Sequence, residues 1–166
     1  MLHGGAEAIV QRTKKPPPPP EPEVRLRRTK RETVTALAGV PLFADFTKRH
    51  LARLARETDE LAFSPGERIV EEGMLGETLF VVLSGRAKVT RAGRKVGEVL
   101  PGDFFGELSA LDGGLRTATV VADTPVRVLR LFRHTLRSLL ADEPQLTLKL
   151  LSGIVRRVRS VERRSR

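Results

Sequence analysis

The chain has 166 residues, 40% hydrophobic and 30% charged, with 30 Lys and Arg against 20 Asp and Glu for a net charge of +10, which fits one globular domain with tails. It has no cysteine, so disulfides and thiolate metal sites are excluded. No apolar run approaches the ~20 residues of a membrane helix, and residues 1–15 lack the apolar centre of a signal peptide, so a cytoplasmic location is expected.

Residues 1–30 contain five consecutive prolines, Pro16 to Pro20, followed by a basic run from Arg25 to Arg31. Proline lacks a backbone donor and in series favours an extended polyproline helix. This stretch is expected to be a disordered, proline-rich basic tail. The net charge is uneven: residues 1–35 carry 8 basic and 4 acidic side chains, residues 36–132 carry 13 of each, and residues 133–166 carry 9 and 3. The excess therefore flanks a balanced centre, which implies weak polyanion affinity of the tails rather than a nucleic-acid-gripping face.

The next segment has a helical period. Thr33 or Thr29 is suited to cap a short helix ending near Gly39-Val40-Pro41, and Thr47 to cap a second with Leu51, Leu54 and Ala55 on one face. From about 59 to 132, runs of Val, Leu and Phe alternate with glycine turns every 8–12 residues, the texture of an all-β roll or barrel. Leu79 to Leu83 is the most apolar run, and Thr117–Ala122 and Val126–Phe132 read as further strands. Beyond 133, Leu136, Leu139 and Leu140 suit a short helix. Asp142-Glu143-Pro144 then starts a long helix, with Leu146, Leu150, Leu151, Ile154, Val155, Val158 and Val161 repeating at three and four. The expected fold is mainly β: an antiparallel, jelly-roll-like β-roll over 59–132, short N-terminal helices over 31–58 and C-terminal helices over 133–162, together one domain spanning 31–166. His3, His50 and His134 are scattered singly, so no metal site is expected.

One segment interrupts the strand pattern: Phe105-Gly106-Glu107-Leu108-Ser109-Ala110, then a loop through Gly113-Gly114, then Leu115-Arg116-Thr117-Ala118-Thr119. A short helical turn at Gly106–Ala110 would present unpaired backbone N–H groups to a phosphate. Arg116 could fork onto two phosphate oxygens. A carboxylate such as Glu107 would repel a phosphate but accepts from a sugar hydroxyl. The pattern suits a ligand with a phosphate at one end and a free hydroxyl nearby. Equally, Glu107 and Arg116 could form a structural ion pair across a turn, with Gly113 and Gly114 serving as plain turn glycines.

These residues resemble the phosphate-binding cassette of the cyclic-nucleotide-binding domain family, which reads F-G-E-(L/I)-A-L, a short loop, then P-R-(A/S/T)-A-T. The glycine-punctuated strands upstream and the closing helices downstream resemble that family too, over about 42–160. The resemblance implies that Gly106 and Leu108 offer backbone N–H groups, Glu107 takes the ribose 2′-hydroxyl, Ser109 helps to hold the phosphate, Arg116 pairs with it, and Thr117 touches the phosphate or the base edge. It implies cAMP as ligand, with cGMP as the less favoured one, no metal, and a last helix that closes as a lid, although its apolar face could equally be a dimer seam. Two positions depart from the pattern. Leu115 replaces proline, which leaves the loop more freedom at ~0.4–1 kcal/mol, and Ser109 replaces alanine. Among Arg156, Arg157 and Arg159, one could stack on the base, or all could form a solvated face.

Three functions compete. The first is a regulatory module that senses cAMP and signals by movement of its C-terminal helix to a protein effector or homo-oligomer. The second is an enzyme, for which no histidine cluster or nucleophile–base pairing is present, so none is expected. The third is an interaction or scaffold protein with a degenerate pocket, acting through basic tails on acidic partners.

Overall fold

The computed structural model describes residues 29–164. Residues 1–28, within the stretch expected to be a proline-rich tail, lie outside the described residues. The chain begins with α1 (Lys30–Ala38), a single 3₁₀ turn (Pro41–Phe43) and α2 (Lys48–Glu57). Thr29 caps α1 in a reciprocal capping box with Glu32, and the Thr47 hydroxyl accepts from the His50 N–H at the start of α2. Both are the terminus signals that satisfy orphan donors.

Eight strands follow: β1 (Thr58–Phe63), β2 (Arg68–Val70), β3 (Thr78–Ser84), β4 (Ala87–Arg91), β5 (Arg94–Val99), β6 (Phe104–Phe105), β7 (Thr119–Ala122) and β8 (Val126–Phe132), with the short helix α3 (Glu107–Asp112) between β6 and β7. They form two antiparallel four-stranded sheets, ordered β1-β8-β3-β6 and β2-β7-β4-β5. The helices α4 (Arg133–Asp142) and α5 (Pro144–Arg164) close the chain. The architecture is thus the β-roll with flanking helices expected from the sequence.

The continuous apolar run of β3 has a direct cause: its sheet is covered on both sides. Phe80 and Val82 join Leu61, Val120 and Val128 between the two sheets. Leu79 and Val81 face the other way, into a second core with Leu37 and Phe43, Leu54 of α2, Leu136 and Leu139 of α4, and Leu146 and Leu150 of α5. One sheet therefore positions the helices on its outer face and the α3 segment at its edge.

The apolar residues of α5 do not form one stripe, as their spacing suggested, but two. Leu146, Leu150 and Gly153 are buried on the inner face, whereas Leu148, Leu151, Val155 and Val158 are exposed.

Candidate functional site

Phe80 of β3 pairs with Phe105 of β6, their rings stacked with centroids 5.1 Å apart. This fixes where the chain leaves β6 and enters α3. At the exit Gly106 has φ +80°, and a Cβ there would lie 2.8 Å from the Thr78 carbonyl oxygen and 2.6 Å from Nη1 of Arg116. Only glycine combines that backbone with that approach. The first helical bond of α3 runs from the Ala110 N–H to the Gly106 carbonyl, so the N–H groups of Glu107, Leu108 and Ser109 precede it and have no acceptor within the helix. Leu108 itself points its side chain to solvent.

Arg116 is buried, 8% exposed. Its Nη1 donates to the Thr78 carbonyl at 2.7 Å, to Ser109 Oγ at 2.6 Å and to the Gly106 carbonyl at 3.2 Å, while Nη2 donates to Thr78 Oγ1 at 2.7 Å. Its guanidinium lies 5.7 Å from the centre of the Phe80 ring. All these partners are neutral. Among the described residues no carboxylate is within ion-pair distance of Arg116, and Nε and one Nη2 hydrogen have no protein acceptor. Desolvation by burial accordingly pushes the guanidinium down to about 10, with the charge of Glu107 opposing the shift. It remains protonated at neutral pH, as a desolvated cation without an ion-pair partner among the described residues.

Glu107 is 4% exposed and does not pair with Arg116, so the structural ion pair open from the sequence does not form. Its Oε1 instead accepts from Nη1 of Arg157 on α5, at 2.5 Å. Arg157 also lies over the Phe104 ring, 4.8 Å from its centre. Gly153, one turn earlier, permits this docking: a Cβ there would lie 2.5 Å from the Phe104 ring. Of the three arginines considered in the last helix, Arg157 thus turns inward, while Arg156 and Arg159 are exposed.

The loop before Arg116 is more firmly held than the missing proline suggested. Leu115 forms an isolated antiparallel bridge with Leu75. The Arg116 N–H donates to the Met74 carbonyl at 2.7 Å, and the Arg116 carbonyl accepts from Gly73 at 2.9 Å. Thr117 is exposed at the rim, and its carbonyl accepts from Arg91 Nε at 3.1 Å.

The structure therefore brings Gly106, Glu107, Ser109 and Arg116 together around α3, with the Leu108 amide beside them and Thr117 at the edge. Ser109 holds the arginine in this arrangement. Two participants were missed from sequence. Thr78 supplies two of the four acceptors of Arg116. Gly76 makes room for it, because a Cβ at that position would lie 2.1 Å from Arg116 Nε. Both sit in a glycine-and-threonine stretch that reads as an ordinary strand start; the threonine's location two residues after a glycine gives no separate signal. Among the described residues no group of three or more His, Cys, Asp or Glu is placed to hold a metal, and no helix is long and apolar enough to cross a membrane.

Comparison with known proteins gives one family: the cyclic nucleotide-binding domain matches residues 60–143. The chain is similar to a CRP-like cAMP-activated global transcriptional regulator of Mycobacterium tuberculosis, 34% identical over 128 residues, which are 74% of this chain and 57% of the regulator. The chain thus spans little more than half of that relative. Among solved structures it resembles the N-terminal domain of a transcriptional regulator from Streptomyces coelicolor, with 34% identity, 76% of this chain and 94% of that one covered, and a TM-score of 0.58. It also resembles the catabolite activator protein of Thermus thermophilus, with 30% identity, coverage of 74% and 60%, and a TM-score of 0.65.

Proposed function

On the premise that the chain belongs to the cyclic nucleotide-binding domain family, we propose that it is a regulatory module that binds cAMP, and cGMP less well, and that answers by movement of α5. The observation that carries this reading is the seat of Arg116. A buried guanidinium surrounded by neutral acceptors is a costly arrangement until an anion arrives. A cyclic phosphate would supply that anion, meeting the free Nε and Nη2 hydrogens and the N–H groups of Leu108 and Ser109 at the start of α3. The Ser109 hydroxyl acts on the phosphate through Arg116, which it orients.

Glu107 is the acceptor for the ribose 2′-hydroxyl. One of its oxygens is already taken by Arg157, so the hydroxyl meets a carboxylate tied to the last helix. That tie supports a role for α5 in the response: a ligand that engages Glu107 changes the footing of Arg157 and shifts the balance between positions of the helix. Thr117, exposed next to Arg116 in the chain, is assigned the contact with the phosphate or the base edge in this reading. The preference for cAMP follows the Mycobacterium relative, which is named for activation by cAMP. The site residues bond one another and Arg157 rather than forming a nucleophile–base pair, so we read a binding role and no catalysis. The signal passes to a protein effector, and the module acts in the cytoplasm.

Thermal unfolding of the full chain with cAMP, cGMP and 5′-AMP tests the reading. A ligand at a hundred times its dissociation constant adds ~2.7 kcal/mol, a shift of roughly 5–10 °C for a chain of this size. The largest shift is expected with cAMP. A midpoint unmoved by all three would favour the interaction protein with a degenerate pocket.

A further inference from the structure

The carbonyl end of α3 is held as specifically as its amide end. Arg133, the first residue of α4, donates from Nη2 to the Leu111 carbonyl at 3.4 Å, and Arg137, one turn later, donates to the same carbonyl at 3.3 Å. The two stand at i and i+4, a spacing at which like charges repel, and among the described residues neither is in an ion pair. What they meet instead is the negative end of a helix, where cations are favoured. The Nε of Arg133 is buried without an acceptor, a cost that an ordinary surface arginine avoids by turning to water. The chain also makes room for this guanidinium. Gly113 has φ +71°, and a Cβ there would lie 2.5 Å from Nη1 of Arg133.

Arg133 is itself firmly placed. Leu136 and Leu139 anchor α4 in the core. The Arg133 backbone N–H donates to the Glu77 carbonyl at 2.8 Å, and Glu77 precedes Thr78, whose carbonyl and hydroxyl seat Arg116. One residue thus holds both halves of the phosphate seat, α3 by its side chain and Thr78 by its main chain. The helix needs such a hold. With six residues it is too short to persist by its own hydrogen bonds. Packing secures its first half, where Glu107, Ser109 and Ala110 are buried, whereas Leu111 is half-buried and Asp112 exposed. At 1.5 Å per residue the two ends lie only ~8 Å apart, so a shift of the carbonyl end carries the amide end with it.

We propose that Arg133 is a positioning residue, which clamps the carbonyl end of α3 and so keeps the Leu108 and Ser109 amides in register with Arg116. The proposal rests on the reading of α3 as the phosphate seat, and it adds a residue that acts on a ligand only through that helix. Arg137 shares the acceptor but is exposed, so water screens its charge and Arg133 carries the clamp.

Two measurements on the full chain separate the clamp from the nucleotide reading. Amide hydrogen exchange without ligand reads the clamp. The Ala110 and Gly113 amides, which bond to the Gly106 and Ser109 carbonyls, are expected to exchange roughly three- to tenfold faster in Arg133→Gln, the worth of one ordinary hydrogen bond, while the amides of β8 keep their rate. Titration with cAMP reads the consequence. Affinity is expected to fall by a similar factor, and Arg133→Lys, which returns a charged donor to the same carbonyl, to recover most of it. Gly113→Ala displaces the guanidinium without removing it. It is expected to weaken binding in the wild-type background and to add little in Arg133→Gln, and it keeps the comparison open should Arg133→Gln not fold. Unchanged exchange in α3 would overturn the proposal. So would an unaltered affinity in a chain whose wild type binds cAMP, a loss that lysine does not recover, or additive losses from Gly113→Ala and Arg133→Gln. A wild type that binds no nucleotide, with the exchange in α3 responding as expected, would remove the nucleotide reading and leave the clamp standing.

Discussion

Arg157 of α5 donates to Glu107 of α3 at 2.5 Å, across 50 residues of chain. The pair is unequal: Glu107 is buried, whereas Arg157 is partly exposed. The carboxylate depends on the arginine more than the reverse, because a buried charge left alone is costly.

A double-mutant cycle measures that dependence. Glu107→Gln and Arg157→Gln are each expected to destabilise the chain, and the double variant to be about as stable as the worse single one. The coupling is expected at ~1–3 kcal/mol, read by urea denaturation. Additive losses would mean that the contact contributes nothing to holding α5.

Glu107→Gln is also expected to weaken cAMP binding by ~1.5–3 kcal/mol, the value of one hydrogen bond to a charged group. Arg157→Gln keeps the carboxylate and so costs less in affinity, while amide exchange in the second half of α5 speeds up as the helix loses its anchor. Equal affinity losses would contradict the distinct roles given to the two residues.

Gly76→Ala tests the space around Arg116. The added Cβ would lie 2.1 Å from Nε, so the guanidinium must move off its seat. Affinity for cAMP should fall at least about tenfold, equivalent to ~1.4 kcal/mol, with a smaller change in stability. Gly76 has no left-handed backbone to strain, so an effect of this kind reports on the arginine alone. Unchanged affinity would show that the position of Nε is unimportant.

Thr78→Val removes the hydroxyl that accepts from Arg116 Nη2 and keeps the carbonyl that accepts from Nη1. The expected cost in affinity is ~0.5–1.5 kcal/mol, that of one ordinary hydrogen bond, measured by calorimetry. A loss as large as that of an arginine deletion would mean that Thr78 touches the ligand itself.

Much of this arrangement was readable in advance, for local reasons. Thr29 and Thr47 announce helix starts because capping is a contact within three residues. The cassette is visible because Gly106, Glu107 and Arg116 lie within eleven residues of chain. What escaped depends on distant approach. Thr78 meets Arg116 from a strand 38 residues away, and nothing in its surroundings marks it. Arg157 left a faint trace: at eleven residues from Leu146 and seven from Leu150, it falls on the inner face of α5, where a charge demands a partner. The same periodicity, read as one stripe, concealed that Leu151, Val155 and Val158 belong to the outer face. Helical spacing reports that residues share a side, but a helix with two apolar sides blurs the count.

That Arg116 is the seat of a cyclic phosphate can be read from a calorimetric titration of the full chain and its Arg116→Ala variant with cAMP, at two salt concentrations. Saturable one-to-one binding to the wild type is expected, little changed by salt, with a loss of several kcal/mol in a variant that remains folded. Equal binding by both proteins, or no heat from a folded wild type, would contradict it.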